Sequence, residues 1–271
     1  MAETEKQPVL ELQHINKRFG AVQALSDMNF EAYLGEVVGL VGDNGAGKST
    51  LIKIISGAYQ PDSGQYIFEG REVSVTQPKD AANLGIQTVY QDLALCDNLD
   101  VVANMYLGRE EASNGVLDEV DMERNALRYV RDLHVRIPSV RTRIAALSGG
   151  QRQSVAVARA VMWNSKVVLL DEPTAALGVE QTLQVKDLIR RLRENGLAVV
   201  VISHNLADVF DVADRIIVMR LGTRVATFSA HATNQQEVVA AITGAQYGPP
   251  KQVDAPPAEN PAVAAEGGIV K

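Results

Sequence analysis

The sequence predicts an α/β fold: a core with a mainly parallel sheet, N-terminal antiparallel strands ahead of it and an inserted helical subdomain. Three observations carry that expectation. The apolar runs Val37-Val38-Gly39-Leu40-Val41, Val167 to Leu170 and Ala198 to Ser203 are too continuous for strands with one wet face, and strands buried on both faces belong to parallel sheets. Helical periodicity separates them, as an alternating α/β order requires. A glycine-rich stretch, Gly42 to Ser49, follows the first run directly.

Taken in chain order, Val9 to Leu12 and Met28 to Tyr33 read as short strands ahead of the run at Val37. After the glycines, Leu51 to Ser56 continues as a helix, which Gly57 and Pro61 end. A hairpin-like stretch over Gln65 to Val75 is split by Gly70. From Leu93 to Trp163 apolar residues recur at three- and four-residue spacings, clearest in Val101 to Leu107 and Met122 to Leu133, so residues 92–163 are expected to form the helical insertion. Val179 to Glu194 reads as an amphipathic helix. Residues 1–247 are taken as one domain. The stretch 248–271, with Pro249, Pro250, Pro256, Pro257 and Pro261 among Ala, Glu and Gly, is expected to be a disordered tail that buries too little to offset ordering. With no internal repeat, the chain holds one site's worth of sequence.

Gly42-Asp43-Asn44-Gly45-Ala46-Gly47-Lys48-Ser49 fits G-x-x-x-x-G-K-[ST] between an expected strand and an expected helix, the context in which that pattern binds phosphate. Glycines let the backbone wrap an anion and aim successive N–H groups at it, and the helix N-terminus adds its positive dipole end. Lys48 is then placed for the β- and γ-phosphates of ATP and Ser49 for Mg2+, with Thr50 counted among the nucleotide-binding residues. The run Val167 to Leu170 ends in Asp171-Glu172. Paired acids at the end of a buried strand need a partner for their charge, and Mg2+ with a water is one. Asp171 suits the metal, and Glu172 the role of general base or polariser of an attacking water.

Leu147-Ser148-Gly149-Gly150-Gln151 lies ahead of a helical run and upstream of the acids. With the loop, this pentapeptide resembles the signature of the ABC ATPases, and the order of motifs resembles that family from Phe19 to about Ile242. The resemblance implies that Phe19 stacks on adenine, that Gln91 touches Mg2+ and joins the core to the helical subdomain, and that His204 is the switch histidine at the γ-phosphate. It implies further that Ser148, Gly149, Gly150 and Gln151 face nucleotide held by a second copy, so that ATP joins a head-to-tail dimer. One position departs from the family: Ala175-Ala176-Leu177-Gly178 ends in glycine where Asp is usual. A cross-dimer carboxylate is therefore missing, with Glu180 the nearest replacement.

Within the family, Gly45 to Gly64, Gln91 to Arg109 and Thr174 to Glu180 resemble the ATPases of bacterial monosaccharide importers of the ribose, xylose and fructose kind. That implies an ATP-hydrolysing subunit at the cytoplasmic face of the cell membrane, held there by integral-membrane permease subunits and served indirectly by a periplasmic solute-binding protein. The competing reading is a soluble ABC ATPase of translation or DNA repair. It is disfavoured because such proteins carry fused halves or long coiled coils, and this chain shows neither.

Composition sets the outer limits. A net charge of -7 offers no broad footprint for a polyanion, so no nucleic-acid partner is expected. The polar start, Met1 to Pro8, lacks the apolar segment of a signal peptide, and Leu197 to Ile202 falls far short of the roughly 20 residues that span a bilayer. The single cysteine, Cys96, has no Lys, Arg or His beside it in the sequence and reads as an ordinary loop residue in a reducing compartment. Ser203 and His204 do not suggest a hydrolase, there being no G-x-S-x-G elbow. His14, His134, His204 and His231 have no zinc spacing. Arg190-Arg191-Leu192-Arg193 reads as the solvated face of its helix.

Overall fold

The computed structural model describes residues 7–113 and 115–245. The expected tail, 248–271, lies outside them. The chain opens with β1 (Leu10–Phe19), β2 (Val22–Ala32) and β3 (Val37–Val41), followed by α1 (Lys48–Ile55). Next come β4 (Ser63–Phe68), β5 (Arg71–Glu72), α2 (Pro78–Asn83) and β6 (Ile86–Val89). The region of the helical insertion holds α3 (Val101–Tyr106), β7 (Ala112–Ser113), β8 (Val116–Leu117), α4 (Glu119–Asp132) and, after a 3-10 turn at Ile144–Ala146, α5 (Gly149–Val161). The core resumes with β9 (Val167–Asp171), α6 (Val179–Glu194), β10 (Ala198–Ile202), α7 (Leu206–Val212), β11 (Arg215–Arg220), β12 (Thr223–Ser229) and α8 (Gln235–Thr243).

A six-stranded sheet in the order β12-β11-β3-β10-β9-β6 forms the centre. Its strands pair in parallel from β11 to β6, and β12 closes one edge antiparallel. The continuous apolar runs follow from this position. On β9, Val168 and Leu170 enter one core while Val167 and Leu169 enter the other, and on β10 Val199 and Val201 oppose Ala198, Val200 and Ile202. With a side-chain period of two and both faces covered, every residue is apolar until β9 reaches Asp171 at the sheet edge. The core on one face is completed by α1 and an antiparallel sheet in the order β2-β1-β4-β5. On the other face lie α5, α6 and the helical insertion.

The two sheets are tied by buried charge. Arg215, on β11, donates through Nε to Glu36 Oε1 at 2.7 Å and through Nη2 to Glu36 Oε2 at 3.0 Å, and also reaches Glu31 on β2. Burial alone would lower the guanidinium's proton affinity, but the hydrogen bonds to Glu36 and the charges of Glu36 and Glu31 outweigh it and hold the pKa raised.

Several local readings need correction. A small antiparallel pair, β7 with β8, interrupts the otherwise helical insertion. The Arg190 to Arg193 run is not a free solvated face: Arg190 binds Asp187 at 2.7 Å, Arg193 binds Asp214 at 2.9 Å, and Arg191 donates to the Leu133 carbonyl at the end of α4. Cys96 does have a cationic neighbour, Arg159 of α5. That guanidinium is itself held by the Leu93 and Ala94 carbonyls. Apart from the Arg190–Asp187 pair and the short β7–β8 hairpin, these interactions join residues far apart in the chain, which local patterning does not register.

Candidate active site

Register places the site. Ile202 of β10 pairs with Leu40 of β3 on one side and Asp171 of β9 on the other. The loops leaving these three parallel strands therefore emerge at one edge of the sheet, where open α/β sheets bind ligands. They are the glycine-rich loop, the Asp171-Glu172 pair and His204.

The loop turns sharply at Gly42, φ 151°, where an added Cβ would lie 2.2 Å from the Met219 carbonyl oxygen. Only glycine fits between the loop and β11. The Ala46 N–H closes a turn on the Asp43 carbonyl at 3.1 Å, and the Gly222 N–H anchors the loop from outside through the Ala46 carbonyl at 3.0 Å. Gly47 caps α1 in a left-handed conformation, so Lys48 and Ser49 occupy its first turn. Asp43, Asn44, Gly45 and Ser49 are exposed, Thr50 is half-buried, and Ala46 packs into the core.

Lys48 bends back over the loop, its Nζ donating to the Gly42 carbonyl at 2.6 Å and the Asp43 carbonyl at 3.0 Å. Partial burial lowers the ammonium's pKa, opposed by the charges of Glu172, Asp43 and Asp171. Asp171 shows the converse: desolvation raises its pKa, the Glu172 charge adds to the rise, and Lys48 and Lys53 counter it. These mutual influences put the loop lysine and both acids in one electrostatic cluster. Lys53, a turn along α1, is a member that sequence reasoning missed, since no motif marks it.

Glu172 has φ 50°, a left-handed conformation that costs a residue with a Cβ about 1–2 kcal/mol. It is held by its N–H to the Ile202 carbonyl at 2.9 Å. Its carboxylate meets His204 twice: Oε1 accepts from the backbone N–H at 3.1 Å, and Oε2 lies 2.9 Å from the ring Nδ1. Ser203 is engaged separately: its Oγ accepts from the Asn205 N–H.

The remaining candidates lie apart. Phe19, at the end of β1, is 42% exposed, with Tyr59 edge-on at 5.2 Å and the Lys17 ammonium 5.4 Å above its ring. Tyr59 extends this aromatic surface and was not singled out in the sequence, because it sits in the turn after α1 with no motif around it. Gln91 is exposed just after β6. Ser148 caps α5 in a reciprocal box: its Oγ accepts from the Gln151 N–H and its own N–H donates to Gln151 Oε1 at 2.9 Å. Gln151 Nε2 also donates to the Arg136 carbonyl. Gly150 is buried under α6, where an added Cβ would meet Gln181 Cβ at 2.9 Å. Among the described residues, no hydrogen bond or ion pair links Phe19, Gln91 or Ser148 to the loop or to Glu172.

The loop after Glu172 returns through the Ala175 N–H to the Glu172 carbonyl and runs into α6 at Gly178. Gly178 has ordinary extended geometry, φ -72°, with open space around a would-be Cβ. The departure from the usual Asp is therefore not imposed by sterics. Glu180 lies exposed in the first turn of α6.

Comparison with known proteins agrees with this geometry. Residues 25–175 match the family model described as ABC transporter. The chain is 45% identical over 240 residues to the xylose/arabinose import ATP-binding protein of Sulfolobus acidocaldarius, covering 89% of this chain and 96% of the relative. It is 44% identical over 255 residues to the fructose import ATP-binding protein of Rhizobium meliloti, covering 91% and 98%. Against a ribose import ATP-binding protein of Rubrobacter xylanophilus, 43% identical, it spans 47% of that longer chain. An ATP-binding cassette of an ABC transporter in its ADP conformation superposes with a TM-score of 0.76 at 26% identity, covering 88% of this chain and 95% of that one. A dimeric cassette in a post-hydrolysis state bound to ADP and Pi gives 0.69 at 25% identity, covering 83% and 100%. A phosphate loop, a paired-acid strand and a Ser-Gly-Gly-capped helix in this order on this sheet, with relatives of this similarity, show that the chain belongs to the ABC transporter family.

Proposed function

We propose that this chain is the ATP-hydrolysing subunit that energises import of a monosaccharide through a separate membrane permease. The carrying observation is its similarity, over about nine-tenths of its length, to relatives named for xylose/arabinose and fructose import. Family membership supports the ATPase activity. The sugar is inferred from the relatives' names, since no residue of this subunit need touch it. Residues 1–247 are read as one ATPase domain with 92–163 as its helical insertion.

The site supports the following division of labour. The loop N–H groups and the N-terminus of α1 cradle the phosphates, and Lys48 turns from the loop carbonyls to the β- and γ-oxygens. Phe19, with Tyr59 behind it, offers a face for the base. Glu172 takes up or polarises the proton of the attacking water, held in orientation by His204. The donor chemistry fits Mg2+: Ser49 would offer a hydroxyl, Asp171 a partly desolvated carboxylate and Gln91, which stands apart in this structure, an amide. When bound, the ion neutralises phosphate charge. Ser148, Gly149 and Gly150, at the N-terminus of α5, serve the nucleotide of a second copy.

A groove of about 1000 Å3 beside Gln91 supports a permease partner. It is lined from the core by Pro78, Gln87 and Tyr90, and from the helical insertion by Arg109 and Trp163. Among the described residues Gln87 Nε2 is the buried side-chain polar atom with no hydrogen-bond partner, a donor that a docked loop would satisfy. No described helix is long and apolar enough to cross a membrane, so the membrane contact is assigned to this partner at the cytoplasmic face.

Affinity purification from gently solubilised membranes tests the reading. An integral-membrane partner should co-purify, and a monosaccharide-loaded binding protein should stimulate ATP turnover by the complex. Co-sedimentation with ribosomes or DNA in place of a membrane partner would overturn it in favour of a non-transport ATPase. For the shared site, Ser49→Cys and Ser148→Cys in a Cys96→Ser background should cross-link two chains when nucleotide is trapped.

A further inference from the structure

One carboxylate outside the motifs joins both arms of the catalytic pair. Asp208, on the first turn of α7, accepts through Oδ2 from Thr174 Oγ1 at 2.8 Å and from Asn205 Nδ2 at 2.9 Å. Its Oδ1 accepts from Lys186 Nζ at 3.0 Å. Thr174 stands two residues after Glu172, Asn205 directly follows His204, and Lys186 belongs to the helix into which the Glu172 loop runs. Three donors from three chain segments thus converge on a side chain that is 13% exposed.

The convergence matters because the Glu172–His204 contact is not secured by either segment alone. Glu172 occupies a left-handed backbone conformation, and such a conformation persists only where its surroundings over-determine it. His204 lies 76% exposed beyond the end of β10, so nothing packed around its ring fixes it. Asn205 also caps α7, its Oδ1 accepting from the Ala207 N–H, which leaves its Nδ2 to reach Asp208. Lys186 is buried and also binds Asp211 at 2.5 Å. Burial by itself would lower its ammonium pKa, but the hydrogen bonds to Asp211 and Asp208 outweigh that and raise it. The lysine is therefore a fixed positive post on which Asp208 is held.

We propose that Asp208 is a positioning residue for ATP hydrolysis: by holding Thr174 and Asn205 on one carboxylate oxygen, it fixes the distance between Glu172 and His204. The inference rests on Glu172 being the proton acceptor. Asp208 itself touches no substrate. Its removal leaves the phosphate loop, Lys48 and the Glu172 N–H bond to the Ile202 carbonyl in place, but it releases the Thr174 and Asn205 side chains that brace the chain just beyond Glu172 and His204. A misplacement of about 1 Å in a reacting group can cost on the order of 100-fold in rate.

The test measures steady-state ATP turnover and nucleotide affinity on the full chain, with thermal unfolding in parallel. Asp208→Ala and the near-isosteric Thr174→Val should each lower kcat, by about 10-fold or more for the first, while nucleotide Kd moves by less than about 3-fold. Thr174→Ser, which restores the hydroxyl, should recover most of the Thr174→Val loss. The Asp208→Ala/Thr174→Val double variant should lose no more than the worse single one, as expected for partners in one contact. Parental kcat in both single variants, or a loss seen only in Kd or in unfolding temperature, overturns the positioning role. If Asp208→Ala does not fold, Thr174→Val against Thr174→Ser decides alone. Glu172→Gln run alongside separates the two levels: parental turnover there removes the catalytic reading and this inference with it, whereas a dead Glu172→Gln beside an unaffected Thr174→Val removes only the inference.

Discussion

His204 meets the Glu172 carboxylate with both its backbone N–H, at 3.1 Å, and its ring Nδ1, at 2.9 Å. The two contacts engage both carboxylate oxygens, Oε1 on the backbone N–H and Oε2 on the ring. Loss of the acid should then separate binding from chemistry. Glu172→Gln keeps the side chain's size and is expected to bind ATP like the parent while kcat falls by about 100-fold or more, the range for a lost general base. His204→Ala should also lower kcat. Phosphate release at saturating ATP checks both, and unchanged turnover in Glu172→Gln would remove the assignment.

The role proposed for Lys48 is in binding. In this structure its ammonium rests on the Gly42 and Asp43 carbonyls beside two acids, and in that role it would exchange those contacts for phosphate oxygens. A charged hydrogen bond contributes about 1.5–3 kcal/mol, so Lys48→Ala should weaken nucleotide binding by about 10- to 100-fold. Titration with a fluorescent ATP analogue reads this directly; an unaltered Kd contradicts the placement of phosphate at the loop.

Two glycines near the signature helix should respond oppositely. Gly150→Ala puts a Cβ 2.9 Å from Gln181 Cβ, and overpacking of this sort costs about 1–3 kcal/mol. Gly178→Asp meets open space at the N-cap of α6, where Asp exceeds Gly by a few tenths of a kcal/mol. Differential scanning calorimetry should show a lower Tm for the first and an equal or slightly higher one for the second.

The charge that joins the sheets should be costly to halve. Arg215→Met leaves Glu36, 2% exposed, as an uncompensated buried acid, a loss of about 3–5 kcal/mol. Replacing both, Arg215→Met with Glu36→Gln, should recover part of it. Urea unfolding measures the difference; equal stability for Arg215→Met and the parent would show that the pair is not desolvated as described.

Much of the molecule was legible in the linear chain. A phosphate-binding pattern resides in contiguous residues, so the proposed loop from Gly42 to Ser49 is legible by itself, and β3, β9 and β10 announce themselves because strand positions covered on both faces are apolar. The acids at the end of β9 stand out because charge ends an apolar run. Elements with weaker local patterns escaped notice: α2, β6, α7, β11, β12 and α8 draw their stability from the sheet and layers they join, and the β7–β8 pair is only two residues per strand.

What the sequence by itself determined is the identity of the chemical groups and their order, since these reside in covalent neighbours and periodic faces. Only the tertiary structure decided their distances: that Glu172 closes on His204, that Asp208 gathers Thr174, Asn205 and Lys186, that Arg215 reaches Glu36, and that Arg159 lies by Cys96. Apart from Asn205, which is three residues from Asp208, these partners are separated by tens to nearly two hundred residues. Their geometry comes from strand register and helix packing over the whole sheet, a property that no local stretch of chain contains.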